Sequence, residues 1–166
     1  MTKVDQGMDL IQSRPEICFF VGPRDDVLIK RAESALGFGL PPSYRRFIAR
    51  LGAGTAGSES IYGVVDSNFI TSSAPNAIWL TLKQRRDSRL PSSMVIISDD
   101  GMGGYFVLDT AKASPSGEPP VEVWEPGSSQ PGDKLEFIAP DFGSWFLDAV
   151  AFGLSDEEDQ GGRISD

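Results

Sequence analysis

Met94-Val95-Ile96-Ile97-Ser98-Asp99-Asp100-Gly101-Met102-Gly103-Gly104-Tyr105-Phe106-Val107-Leu108 decides the fold class. Two short apolar runs flank a turn of aspartates and glycines, the pattern of a β-hairpin. The first run is apolar on both faces and predicts a central strand. Downstream, Val121-Glu122-Val123-Trp124 alternates, with Val121 and Val123 inward and Glu122 and Trp124 on the other, outward face. Leu135-Glu136-Phe137-Ile138 reads as a last strand. Pro140 and Asp141 then open a helix whose Phe142, Trp145, Phe146, Ala149 and Val150 form one apolar stripe. Strands cluster in the second half of the chain.

Upstream the periodicity is helical. After a short amphipathic start through Met8, Leu10 and Ile11, the run Ile17–Val21 predicts a buried strand closed by Gly22-Pro23. Cys18 within it has no base nearby in sequence and reads as a small core residue. Asp25 and Asp26 cap a helix with Leu28, Ala32, Ala35 and Leu36 on one face, stopped by Gly37 and Gly39. Pro41 and Pro42 start another, with Tyr44, Phe47, Ile48 and Leu51 inward and Arg45, Arg46 and Arg50 facing solvent. A strand is expected from Ser60 to Val65 and a helix over 76–86, whose cationic end holds Lys83, Arg85, Arg86 and Arg89. Helices first, strands in the middle and a closing helix argue for an α+β fold: a mixed, largely antiparallel sheet flanked by N-terminal helices and a C-terminal helix.

The length of 166 residues suits one domain, assigned to 1–153, with an acidic disordered tail over 154–166. No apolar run approaches the roughly 20 residues needed to cross a bilayer, and the first residues do not read as a signal peptide, so a cytoplasmic protein is expected. There is no histidine, which removes Ser-His-Asp and Cys-His nucleophile pairs and His-containing zinc sites. The single cysteine excludes an internal disulfide and multi-cysteine metal clusters. No cofactor, metal or catalytic residue is expected.

Charge is unevenly divided. Residues 1–92 carry 12 basic and 9 acidic side chains, whereas residues 93–166 carry 3 and 15. Such a second half repels nucleic-acid phosphates and attracts a basic partner. Gly52-Ala53-Gly54-Thr55-Ala56-Gly57 matches the dinucleotide fingerprint, but a helix precedes it and a strand follows, the reverse of what phosphate binding requires. Asp99-Asp100-Gly101 lacks the alternation and the distal glutamate of a calcium loop. Paired carboxylates acting on sugars or phosphoesters are a third, unspecific reading.

Glu33-x-x-Leu36-Gly37-x-x-Leu40-Pro41-x-x-Tyr44-x-x-Phe47-Ile48 resembles the opening motif of the SUKH superfamily, which joins yeast cell-wall-synthesis regulators to bacterial toxin-immunity proteins. Ile97–Tyr105 is similar to its glycine-rich hairpin, and Val121–Trp124 and the Phe142–Leu147 helix follow in family order, so the likeness covers roughly 25–152. Gly52-Ala53-Gly54 stands where the family usually has Asn-Gly-Gly, so no role of that asparagine carries over. The resemblance implies a non-enzymatic immunity protein that binds and neutralises a cognate toxin with a basic surface, in particular a nuclease domain. A regulatory interaction module without a toxin is the alternative. The acids and aromatic of the strand region supply the partner-binding candidates: Asp99, Asp100, Glu118, Glu122 and Glu125, with Trp124 as an apolar anchor. No nucleic-acid or membrane partner is expected, and the protein is read as a monomer or homodimer.

Overall fold

The computed structural model of the chain describes residues 1–73 and 75–164. Five helices, α1 (Lys3–Ser13), α2 (Asp26–Leu36), α3 (Pro42–Leu51), α4 (Ala77–Ser88) and α5 (Phe142–Ile164), combine with two antiparallel sheets. The first sheet has the order β1 (Cys18–Phe20), β2 (Gly54–Ala56), β3 (Glu59–Ile61). The second has the order β4 (Met94–Asp99), β5 (Tyr105–Asp109), β6 (Val121–Trp124), β7 (Glu136–Ala139). The fold is α+β, but its strands divide into two sheets rather than joining in one.

Local chemistry explains the helix boundaries. Thr2 and Asp5 form a reciprocal capping box at the start of α1. Hydrogen bonds from Thr2 and then Arg46 lower the Asp5 pKa to about 2. Asp25 caps α2 by accepting from the Leu28 N–H at 2.8 Å, and Gly37 ends it at φ 89°. The first turn of α3 begins on proline and has no local side-chain cap; its Ser43 N–H is satisfied from far along the chain, as described below.

The main core is aromatic. Tyr44, Phe47, Phe142 and Phe146 are fully buried, with the Tyr44 and Phe142 rings stacked at 4.8 Å. The buried Tyr44 hydroxyl donates to the Tyr62 carbonyl at 2.7 Å. A second cluster lies on the opposite face of the β4–β7 sheet, where Ala77 and Leu80 of α4 meet Met94, Ile96, Val107 and Trp124. Ile78 of the same helix points instead into the main core. Because α4 serves two clusters, its apolar residues do not share one face.

Three expectations need correction. β4 is buried on both faces yet terminates its sheet; its outer edge is closed by the Thr81 hydroxyl, which accepts from the Ile96 N–H at 3.0 Å, and by the Tyr62 N–H donating to the Ile97 carbonyl at 2.8 Å. β1 is an edge strand, with Phe19 67% exposed and Cys18 only half-buried. Burial still pushes the Cys18 thiol pKa upward. Finally, α5 continues to Ile164, where a disordered tail is expected from 154. Leu154 is buried and Arg14 pairs with Glu158 at 2.6 Å, giving that segment contacts its composition does not advertise. Residues 165 and 166 of the expected tail lie outside the described residues.

The glycines of the fingerprint-like run serve packing. A side chain at Gly54 would overlap the Phe19 carbonyl, and one at Gly63 would overlap the Gly52 carbonyl. Backbone meets backbone there, leaving no cradle for phosphate.

Candidate functional site

The six candidate acids and aromatics do not form one surface. Glu122 is 5% exposed, and its carboxylate accepts from the Lys112 ammonium at 2.9 and 3.0 Å. Trp124, expected to face outward, is 2% exposed and stacks near Tyr105 with ring centroids 6.4 Å apart. The shared face of Glu122 and Trp124 holds as read; what the strand pattern could not reveal is that α4 and Tyr62 help to cover that face. Glu118 accepts from the Ser43 N–H and hydroxyl, both at 2.8 Å, and supplies the missing cap of α3. Glu125 is exposed beyond the end of β6, apart from the other acids. Asp109 and Asp141 are likewise taken up in capping turns. The lopsided sequence charge is therefore partly internal.

Asp99 and Asp100 remain together. Asp100 Oδ1 accepts from the N–H groups of Met102 and Gly104, at 2.8 and 2.9 Å, and so fixes the β4–β5 turn. Asp99 accepts from the Tyr62 hydroxyl at 2.7 Å and the Gly101 N–H at 3.0 Å. The two aspartates line a cleft of about 260 Å³ with Ser58, Glu59, Ser60 and Phe106. The cleft sits where the two sheets meet: the Ser98 hydroxyl donates to the Ser60 carbonyl at 2.6 Å.

Glu59 reports the electrostatics of this cleft. Its pKa is raised, first by burial and then by the negative charges of Asp99 and Asp156. Among the described residues, no lysine or arginine forms an ion pair with Glu59, Asp99, Asp100 or Asp156. By contrast, Arg45 and Arg46, expected to be solvated, pair with Asp26 and Asp5 of the first half, each at 2.6 Å. Arg85 of the cationic helix end donates to the Leu36 and Ser92 carbonyls and lies over Phe38. Arg45, Arg46 and Arg85 are thus engaged away from the cleft, where among the described residues no cation pairs with the acids.

An apolar residue accompanies the acids. Trp145, Ala149, Phe152 and Asp156 follow one stripe of α5, at helical spacing. Trp145 packs on Phe106, a cleft residue, with centroids 5.7 Å apart, while Asp156 acts on Glu59. Phe152 lies between them and is 60% exposed. At the hairpin tip Met102 is 87% exposed.

A family model described as SMI1-KNR4 cell-wall, within the SUKH group, matches residues 26–146. The chain belongs to the SUKH superfamily. Proteins of this superfamily are generally non-catalytic immunity or regulatory proteins. A comparison with curated proteins gives no match. The match to this SUKH domain spans α2 through the first turns of α5, and so contains Glu59, Asp99 and Asp100 but stops short of Phe152 and Asp156.

Glu59, Phe152 and Asp156 were missed in the sequence. Glu59 sits in a glycine-rich turn with no partner nearby in the chain, and the other two lie at or beyond the expected end of order. One signal was available: Asp156 continues the Trp145–Phe152 stripe in register.

Proposed function

We propose that this SUKH domain is a non-enzymatic immunity protein, which binds a cognate toxin, in particular a nuclease domain, and blocks it through the acidic cleft. The observation that carries this reading is the placing of Glu59, Asp99 and Asp100 along one cleft with, among the described residues, no ion-paired cation; burial first, and then the charges of Asp99 and Asp156, raise the Glu59 pKa. A nuclease holds phosphates with a cationic surface, and carboxylates at a fixed spacing compete for that surface. Exposed Phe152 and Met102 provide apolar contact beside the charges, the composition of an interface centre. Glu118, Glu122 and Trp124 act in this reading as scaffold, and Asp99 and Asp100 remain contacts.

The test pairs this chain with the toxin domain encoded beside it. Co-expression is expected to rescue growth, and the double charge reversal Glu59→Lys, Asp100→Lys to abolish rescue and slow association at low salt by at least tenfold. Rescue and association that survive both reversals would remove the cleft from the interface.

The description of the matching family model favours a second reading, a regulatory interaction module of the cell-wall-synthesis-regulator type. In that case no neighbouring gene product is toxic, and deletion of this gene alters the cell envelope instead.

A further inference from the structure

Among the described residues, β1 presents the open and regular sheet edge. The outer edge of β4 is sealed by Thr81 and Tyr62, and the Ser98–Ser60 hydrogen bond ties it to β3. β7 carries a bulge at Phe137–Ile138 and ends before Pro140, two devices that blunt an edge against pairing. β1 has neither. The Gly57 N–H donates to the Ile17 carbonyl and the Val21 N–H to the Ala53 carbonyl, both at 2.9 Å, so Ile17, Phe19 and Val21 turn their backbone groups toward β2. By alternation Cys18 and Phe20 turn theirs outward, where they meet no backbone partner among the described residues. The side chains on the solvent face of this edge are apolar: Phe19 is 67% and Val21 43% exposed.

We propose that β1 pairs with β1 of a second copy of this chain, antiparallel and centred on Phe19, so that the β1–β3 sheet continues across a two-fold axis. The register follows from which backbone groups face out. Centring on Phe19 sets Cys18 opposite Phe20 of the other copy, and their outward N–H and C=O groups bond reciprocally on both sides of the axis. Phe19 then meets its own counterpart in a non-hydrogen-bonded pair, with Cα atoms about 4.5 Å apart. Ile17 meets Val21. The run Ile17-Cys18-Phe19-Phe20-Val21 is apolar throughout, so its reversal matches apolar with apolar at every position, as a self-complementary contact requires. Charge agrees with this register: Glu16 comes opposite Gly22 of the other copy, diagonal to Arg24, which forms no ion pair among the described residues. The acidic cleft lies at the opposite edge of the sheet, beyond β3, so each copy keeps its cleft open. The pairing therefore stands whether the cleft takes a toxin or a host protein.

Sedimentation of the full chain over a concentration series is expected to pass from one chain mass to two as concentration rises. Phe19→Lys sets two ammonium groups face to face at the axis and should weaken association by about tenfold or more. Because Phe19 is exposed, the same variant should keep the wild-type urea midpoint. Oxidative cross-linking in a Cys18→Ser background reads the register. Phe19→Cys should give a disulfide-linked dimer, since its separation falls within the about 4.4–6.8 Å between Cα atoms that a disulfide spans. Val21→Cys should not, because it lies about four residues of strand, or roughly 13 Å, from its counterpart. A single chain mass at every concentration up to the solubility limit would overturn the proposal. So would a dimer that Phe19→Lys leaves intact, or Val21→Cys cross-linking as fast as Phe19→Cys.

Discussion

Replacing Trp124 with alanine tests the largest departure from the outward-facing reading. The ring is 2% exposed and packs in the second cluster with Tyr62, Leu80, Met94 and Val107. A buried tryptophan removes about 150–250 Å² from water. At about 25 cal/mol per Å², that corresponds to about 4–6 kcal/mol. A compact unfolded chain lowers this figure, and core Trp→Ala substitutions generally cost about 3–5 kcal/mol. We therefore expect Trp124→Ala to lose about 4 kcal/mol, read from the urea midpoint at unchanged slope. A domain of ordinary stability, about 5–15 kcal/mol, still folds after that loss. Its Tm should fall by about 8–16 °C, at roughly 2–4 °C per kcal/mol. Trp124→Phe should recover most of the difference, since the apolar volume is largely retained. A loss below about 1 kcal/mol, the scale of an exposed position, would refute the packing argument and return Trp124 to the surface.

Gly7→Ala should destabilise despite its better helix propensity. The propensity gain is about 1 kcal/mol, whereas the new methyl overlaps the Phe146 ring and overpacking costs about 1–3 kcal/mol, measurable by urea unfolding. Glu118→Ala should cost about 1 kcal/mol, because two hydrogen bonds at the α3 N-terminus lose their acceptor, while Glu118→Gln retains part of the cap. The pH dependence has two limbs. Asp5, lowered from 3.8 to about 2, contributes stability present above its ordinary pKa and lost as pH falls toward 2, so Asp5→Asn should flatten that acid limb in pH-jump denaturation. Glu59 has the opposite sign: its raised pKa means that ionisation costs stability as pH rises above its ordinary 4.5, so Glu59→Gln should melt higher than wild type at pH 7 and level with it near pH 3.

Elements written in local residue patterns were readable in the chain. The cap at Asp25, the prolines at Pro41 and Pro42, the stops at Gly37 and Gly52 and the apolar stripes of α2 and α3 place those helices within a residue or two, and the stripe of α5 places its start but not its end. The β4–β5 hairpin follows from its aspartate–glycine turn. Side-chain partners far apart in sequence were not readable. Glu118 looks like a free loop acid until Ser43, 75 residues away, is brought beneath it. Glu122 and Trp124 alternate as an exposed face would, because a strand pattern carries no sign of the helix that covers it. For the site, the Asp99–Asp100 pair was legible because the turn itself demands those residues. Glu59 was not, since its significance is a field made by Asp99 and by a helix nearly a hundred residues downstream.

The closed outer edge of β4 has a consequence for recognition. With its ladder sealed by Thr81 and Tyr62, and its turn laced by Asp100, the hairpin is already ordered before anything docks on it. Little conformational freedom remains to be surrendered on association, which favours tight complexes from a small footprint. Met102 takes no part in that lacing through its side chain, which stands in solvent. If the proposed partner docks here, variation at this one tip residue would retune which partner is accepted while the platform beneath keeps its shape.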